Sequence, residues 1–133
     1  MYRRLVLKLS GQAIAGSSEF GFSSDRLTHL ANEVIALRAT GVQRAVELDA
    51  DALLVAKNGA DGVYDADPNT SPTATRFDHL TYQEVIDRGL GVMDQSAFIL
   101  ARDHRLPLHV FDIDQTGAAS TIATGNHLGT LIN

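Results

Sequence analysis

At 133 residues the chain has room for one domain with a true core, and is too short for two ordinary ones. Its composition, 44% hydrophobic and 20% charged, is that of a soluble globular protein, and a formal net charge of −5 argues against broad attraction to nucleic acid or an anionic membrane. The absence of cysteine excludes a disulfide framework, a thiolate nucleophile and a cysteine metal site, and fits a cytoplasmic setting.

Residues 3–11 read as a buried strand running into a glycine turn, Ser10-Gly11. Lys8 interrupts the apolar run near the strand's end. An unpaired ammonium is costly to bury, so this lysine must reach water, a carboxylate or an anionic ligand, and ligand contact is the reading preferred here. The apolar run is too short for a signal peptide, and nothing in the chain approaches a transmembrane span. Gly11 and Gly16 have the spacing of a phosphate-binding P-loop, but Ser17-Ser18 follows where Lys-[Ser/Thr] is required.

Ser24 can cap a helix with Asp25 in its first turn. Leu27, Leu30, Ala31, Val34, Ile35 and Leu37 then mark one apolar face of a packing helix, which Gly41 stops. Val42-Gln43 opens like a strand, yet residues 44–48 read as the end of another helix. Local chemistry gives no reason for that junction. Residues 51–56 are the next strand.

That strand leads into Lys57-Asn58-Gly59-Ala60-Asp61-Gly62-Val63-Tyr64-Asp65-Ala66-Asp67-Pro68, which holds two strong turn dipeptides, Asn58-Gly59 and Asp61-Gly62. In α/β proteins, loops at the carboxyl ends of strands are where ligands bind. An aromatic ring and acceptor oxygens there suit the base and ribose of a nucleotide, while the plainer reading is a solvated connection. Asp65-Ala66-Asp67-Pro68-Asn69 begins like a calcium loop, but Thr70 and Arg76 occupy the positions that need glycine and a bidentate glutamate.

Further on, Thr81 can cap a short helix over residues 82–88 that ends at Gly89, and Asp94 can cap a second over residues 95–104. Residues 108–111 read as a strand, 117–123 as a short helix and 129–132 as a terminal strand. The five histidines, His29, His79, His104, His109 and His127, show no paired spacing for a zinc site, and there is no G-x-S-x-G nucleophile turn. Strands alternating with helices predict an α/β sandwich, a mostly parallel sheet between helices.

Several motifs, in order, resemble the bacterial uridylate (UMP) kinase family: Lys8-Leu9-Ser10-Gly11, Asp61-Gly62-Val63-Tyr64 with Asp67-Pro68, Leu80-Thr81-Tyr82, Val92-Met93-Asp94, Ala101-Arg102-Asp103-His104 and Gly129-Thr130-Leu131-Ile132. The resemblance covers the whole chain, as one amino-acid-kinase-like domain, in two blocks, residues 1–43 and 44–133. It implies the amino-acid-kinase fold, phosphoryl transfer from ATP to UMP, Mg²⁺ carried with the nucleotide, and a GTP-regulated homohexamer in the cytoplasm. Carried over by position, Lys8, Leu9, Ser10 and Gly11 would contact the ATP phosphates. Asn58, Tyr64 and Asp67 would hold adenosine. Asp94 matches an aspartate near the reacting phosphates, so Lys8 and Asp94 are the catalytic candidates. Gly16, Ser17, Ser18, Glu19, Phe20 and Gly21 fall on the GTP-responsive segment.

The same resemblance implies a large internal deletion between Gln43 and Arg44. The family has there a Gly-Gly-Gly-Asn turn, an aspartate for the UMP ribose and a Thr-Gly-Asn-Pro segment at the acceptor phosphate, none of which occurs here. Three functions follow from these residues: the UMP kinase reaction, an inactive nucleotide-binding remnant, or a kinase of the same fold with a carboxylate acceptor. The tyrosine loop and C-terminal motifs favour uridylate kinase over the last.

Overall fold

The computed structural model describes residues 2–9, 24–39, 43–44 and 50–133. Its centre is strand β3 (Ala52–Lys57), whose unbroken apolar run Ala52 to Ala56 is buried on both faces. Such a run suits the middle of a parallel sheet covered on both sides. β1 (Arg4–Lys8) pairs parallel on one side of β3 and β7 (Leu108–Asp112) parallel on the other. With β2 (Gln43–Arg44), β6 (His79–Leu80) and β8 (Thr130–Ile132), they form a six-stranded sheet in the order β2-β1-β3-β7-β8-β6. All its pairings are parallel except β7 with β8. A separate antiparallel pair joins β4 (Val63–Tyr64) to β5 (Arg76–Phe77). The mostly parallel sheet predicted from sequence is present, with β1 and β3 as parallel neighbours.

Helices cover both faces. On one lie α1 (Ser24–Ala39) and α4 (Ala118–Ala123), enclosing Leu30, Leu54, Phe111, Ile113 and Ile122. On the other lie α2 (Tyr82–Asp87) and α3 (Gln95–Asp103), enclosing Val55, Val85, Phe98, Val110 and Ile132. Thr81 caps α2 through a reciprocal capping box with Glu84, and Asp94 caps α3, as their sequence positions predict. Among the described residues, no helix is long and apolar enough to cross a membrane.

Two expectations are corrected. Arg44, read as part of a helix end, lies in β2, where Gln43 and Arg44 extend the sheet edge beside Arg4 and Leu5. The helix reading is therefore corrected at Arg44; residues 45–48 and the Gly41 stop lie outside the described residues. The second correction concerns α1. Of its proposed apolar face, Leu30 is buried, but Leu27, Val34 and Ile35 are 46%, 40% and 64% exposed. The helix instead turns polar side chains inward. Glu33 is buried and accepts the Gly117 N–H at 2.6 Å, His29 meets the Ile113 carbonyl at 2.7 Å, and Arg26 pairs with Asp114. These contacts satisfy backbone groups at the β7–α4 turn that would otherwise be buried unpaired, which is why they set the helix's rotation. The side chains of Ser24 and Leu37 are outside the description.

Candidate functional site

A cleft of about 460 Å³ opens at the carboxyl end of β3. One wall is the segment 60–68, the other is residues 88–91 after α2, and Lys57 closes it where β3 ends. This is the edge at which an open parallel sheet offers its ligand site.

The 60–68 wall is fixed from below by a buried threonine. Thr130 on β8 accepts the Val63 N–H at 2.8 Å and donates its hydroxyl to the Phe77 carbonyl at 2.5 Å. Gly62 and Gly129 permit that close approach. A Cβ on Gly62 would lie 2.5 Å from the Thr130 hydroxyl oxygen, and one on Gly129 would lie 2.1 Å from the Val110 carbonyl oxygen. Gly129 also has φ +75°, which L side chains rarely adopt.

Tyr64 is held by its own loop. Its hydroxyl donates to Asp61 Oδ1 at 2.5 Å, and Asp61 Oδ2 takes Arg76 Nη1 at 2.5 Å. The bond to Asp61 pushes the Tyr64 pKa up, so the ring carries a neutral phenol. Burial alone would raise the Asp61 pKa, but the Tyr64 hydroxyl and the Arg76 guanidinium outweigh it and hold Asp61 below the usual carboxylate range. Asp61 is thus a positioning residue. Asp67 organises a turn, with Oδ1 accepting from the Asn69 N–H at 2.9 Å and its carbonyl from Ser71 N–H at 2.8 Å. Its Oδ2 has no protein partner among the described residues.

Of the residues proposed from sequence, Tyr64 and Asp67 line the cleft. Asn58 is exposed beside it, outside the lining. Lys8 is exposed at the end of β1, in register with Val55 of β3. Leu9 packs its side chain against the core under α1 and α4, leaving only its backbone for a ligand. Asp94 sits at the start of α3, where bonds from the Ser96 hydroxyl and the Ala97 N–H, with the charge of Lys8, hold its carboxylate below its ordinary pKa. Lys8 and Asp94 therefore share one electrostatic neighbourhood. Ser10, Gly11, Gly16, Ser17, Ser18, Glu19, Phe20 and Gly21 lie outside the described residues.

Sequence did not mark Lys57, Arg88 or Gly91 for the cleft, and read Gly89 only as a helix stop. Arg88 lines the cleft with its guanidinium over the Phe77 ring, 5.1 Å from the centroid. A lysine ending an apolar run carries no motif, and the 88–91 wall becomes visible only once α2 is packed.

Comparison with known proteins bears on these residues. A sequence profile of the amino acid kinase family matches residues 39–112. A uridylate kinase from Frankia casuarinae is 37% identical, and the alignment covers 99% of this chain and 90% of that protein. It runs over 234 positions, far more than 133 residues can fill, so a long stretch of the relative has no counterpart here. A uridylate kinase from Marinobacter nauticus is 55% identical over 89 residues, 67% of this chain and 36% of that protein. Among solved structures, a UMP kinase from Bacillus anthracis superposes with a TM-score of 0.88 at 26% identity, covering 99% of this chain and 96% of that one.

Proposed function

The chain belongs to the amino acid kinase family, among the uridylate kinases, and from that premise we propose that its cleft holds the adenosine part of ATP, the donor side of phosphoryl transfer to UMP. The observation that carries the reading is Tyr64: an aromatic face locked by Asp61, beside a turn-forming carboxylate, Asp67, at the carboxyl end of the central strand. The ring offers a stacking surface for a base, and Asp67 Oδ2 an acceptor for ribose hydroxyls.

Phosphoryl transfer needs mostly positioning and stabilisation of charge. Lys8, at the end of β1, would oppose the charge of the transferred phosphate, with Asp94 nearby. The backbone of Leu9, Ser10 and Gly11 would face the phosphates. Among the described residues no three acidic or histidine side chains converge on a metal position. Mg²⁺ carried by the nucleotide's own phosphates would neutralise their charge there.

The acceptor side is different. The segments expected to clamp UMP have no counterpart in this sequence, and holding an acceptor in line can account for about 7–11 kcal/mol of barrier. The chain is thus read as one amino-acid-kinase-like domain that keeps ATP recognition and lacks efficient UMP phosphorylation. The same reading extends to a GTP-responsive segment at residues 16–21, to self-assembly and to a cytoplasmic setting. A coupled assay of ADP release, with and without UMP, beside a uridylate kinase relative, tests it. Little UMP-dependent turnover is expected; turnover near that of the relative, abolished by Lys8→Ala, would overturn the loss of the acceptor side.

A further inference from the structure

We propose that Lys57 binds the phosphate chain and, with Lys8, makes the cleft select nucleoside di- and triphosphates over nucleosides. This deepens the nucleotide reading above and rests on it.

Lys57 and Lys8 face the same side of the sheet. Lys8 lies in register with Val55, and Lys57 follows two residues later on the same strand, so the alternation of a strand puts Lys8, Val55 and Lys57 on one face. Val55 belongs to the core under α2 and α3, and Lys57 lines the cleft beyond it. Both ammonium groups thus stand at the carboxyl edge of neighbouring central strands.

Nothing in the described protein neutralises Lys57. It is half-buried, and its side chain has no hydrogen bond or ion pair among the described residues. No described carboxylate is paired with it, and those of the neighbouring segments make other bonds. Asp112, its in-register neighbour on β7, accepts the Asp114 N–H at 2.9 Å; Asp61 serves Tyr64 and Arg76; Asp65 accepts the Thr75 N–H at 2.8 Å. Burial first, and then the charge of Lys8, push the Lys57 pKa down, so the two cations act on each other. A half-buried ammonium facing a second one is unfavourable until an anion enters. A lysine serves phosphate as a point charge, and two of them at one sheet edge match a chain of phosphates better than a single carboxylate.

The experiment is calorimetric titration of the 133-residue chain with adenosine, ADP and ATP at fixed Mg²⁺, for the parent, Lys57→Met and Lys57→Arg, with a thermal midpoint for each unliganded protein. Lys57→Met should weaken ATP about ten- to a hundredfold, the range of a charge-assisted hydrogen bond, and leave adenosine within about twofold. Lys57→Arg should keep most of the ATP affinity. The midpoint of Lys57→Met should equal or exceed that of the parent, because an uncompensated charge has been removed. Parent-like ATP binding by Lys57→Met would overturn the proposal. So would equal losses of ATP and adenosine, or a lowered midpoint, since either would mark a structural lysine. A parent that binds adenosine but prefers neither ADP nor ATP would overturn this inference alone. A parent that binds none of the three would overturn the nucleotide reading as well.

Discussion

The β3–β7–β8 half of the sheet and the β1–α1 half both carry apolar periodicity, yet they are finished differently. In the first, Leu54, Leu108, Val110, Phe111 and Ile132 are buried to 1% exposure or less, and helices seal both faces. In the second, β1 buries Leu5 on one face, while Val6 on the other is 40% exposed, and α1 leaves Leu27, Val34 and Ile35 in solvent. These open surfaces lie on β1 and α1, the elements that precede Gln43 in the chain. The sheet of the first half is closed on both faces, although its helices still expose Leu100, Ile86 and Ile99 at 60%, 37% and 36%, whereas in the second half the exposure reaches the strand itself, at Val6. Periodicity in a sequence shows which residues were made to be covered, not whether the cover is present.

This contrast can be broken at the sealed half first. Gly129→Ala places a Cβ against the Val110 carbonyl at a φ that alanine disfavours, and should destabilise by about 3–5 kcal/mol in chemical denaturation. A change below about 1 kcal/mol would show that β7 and β8 are not rigidly joined there.

Acid should act next, through His109. This buried side chain meets the Tyr2 hydroxyl at 2.8 Å and, among the described residues, leaves Nδ1 without a partner; burial, with the charge of His127, pushes its pKa down to about 4. Its folded pKa lies below the unfolded value of about 6.5, so the unfolded chain binds the proton more readily. The resulting stability is full above about pH 6.5 and is lost as pH falls toward 4, a change on the order of 3 kcal/mol. Urea denaturation of the parent and His109→Gln across that range checks it: the parent should lose stability more steeply than the variant.

The smallest effect is expected on the open half. Ile35→Ser should change stability by no more than about 0.5 kcal/mol and should reduce self-association in sedimentation velocity. A loss comparable to that at a core position would mean that the outer face of α1 is covered, and the two halves would no longer differ.

Much of this was legible in the chain. The continuous run Ala52 to Ala56 announces a central parallel strand, and Thr81 and Asp94 announce the starts of α2 and α3, because caps and runs are local properties. The tyrosine loop could be placed at a strand's carboxyl end from its turn dipeptides alone. What escaped depends on distant partners. The two-residue strands β2, β4, β5 and β6 have no period of their own and form only against neighbours. The rotation of α1 follows from Glu33 finding the Gly117 N–H, 84 residues away. Lys57 stands out only when Asp61, Asp65 and Asp112 are seen bonded elsewhere.

An ATP side retained without an acceptor side is open to amide chemical-shift mapping of the labelled chain during titration with Mg²⁺–ATP and then with UMP. Saturable shifts are expected with ATP at Lys57, Tyr64, Asp67 and residues 88–91, and no saturable shifts with UMP. ATP shifts absent from those residues, or a saturable UMP response beside them, would contradict it.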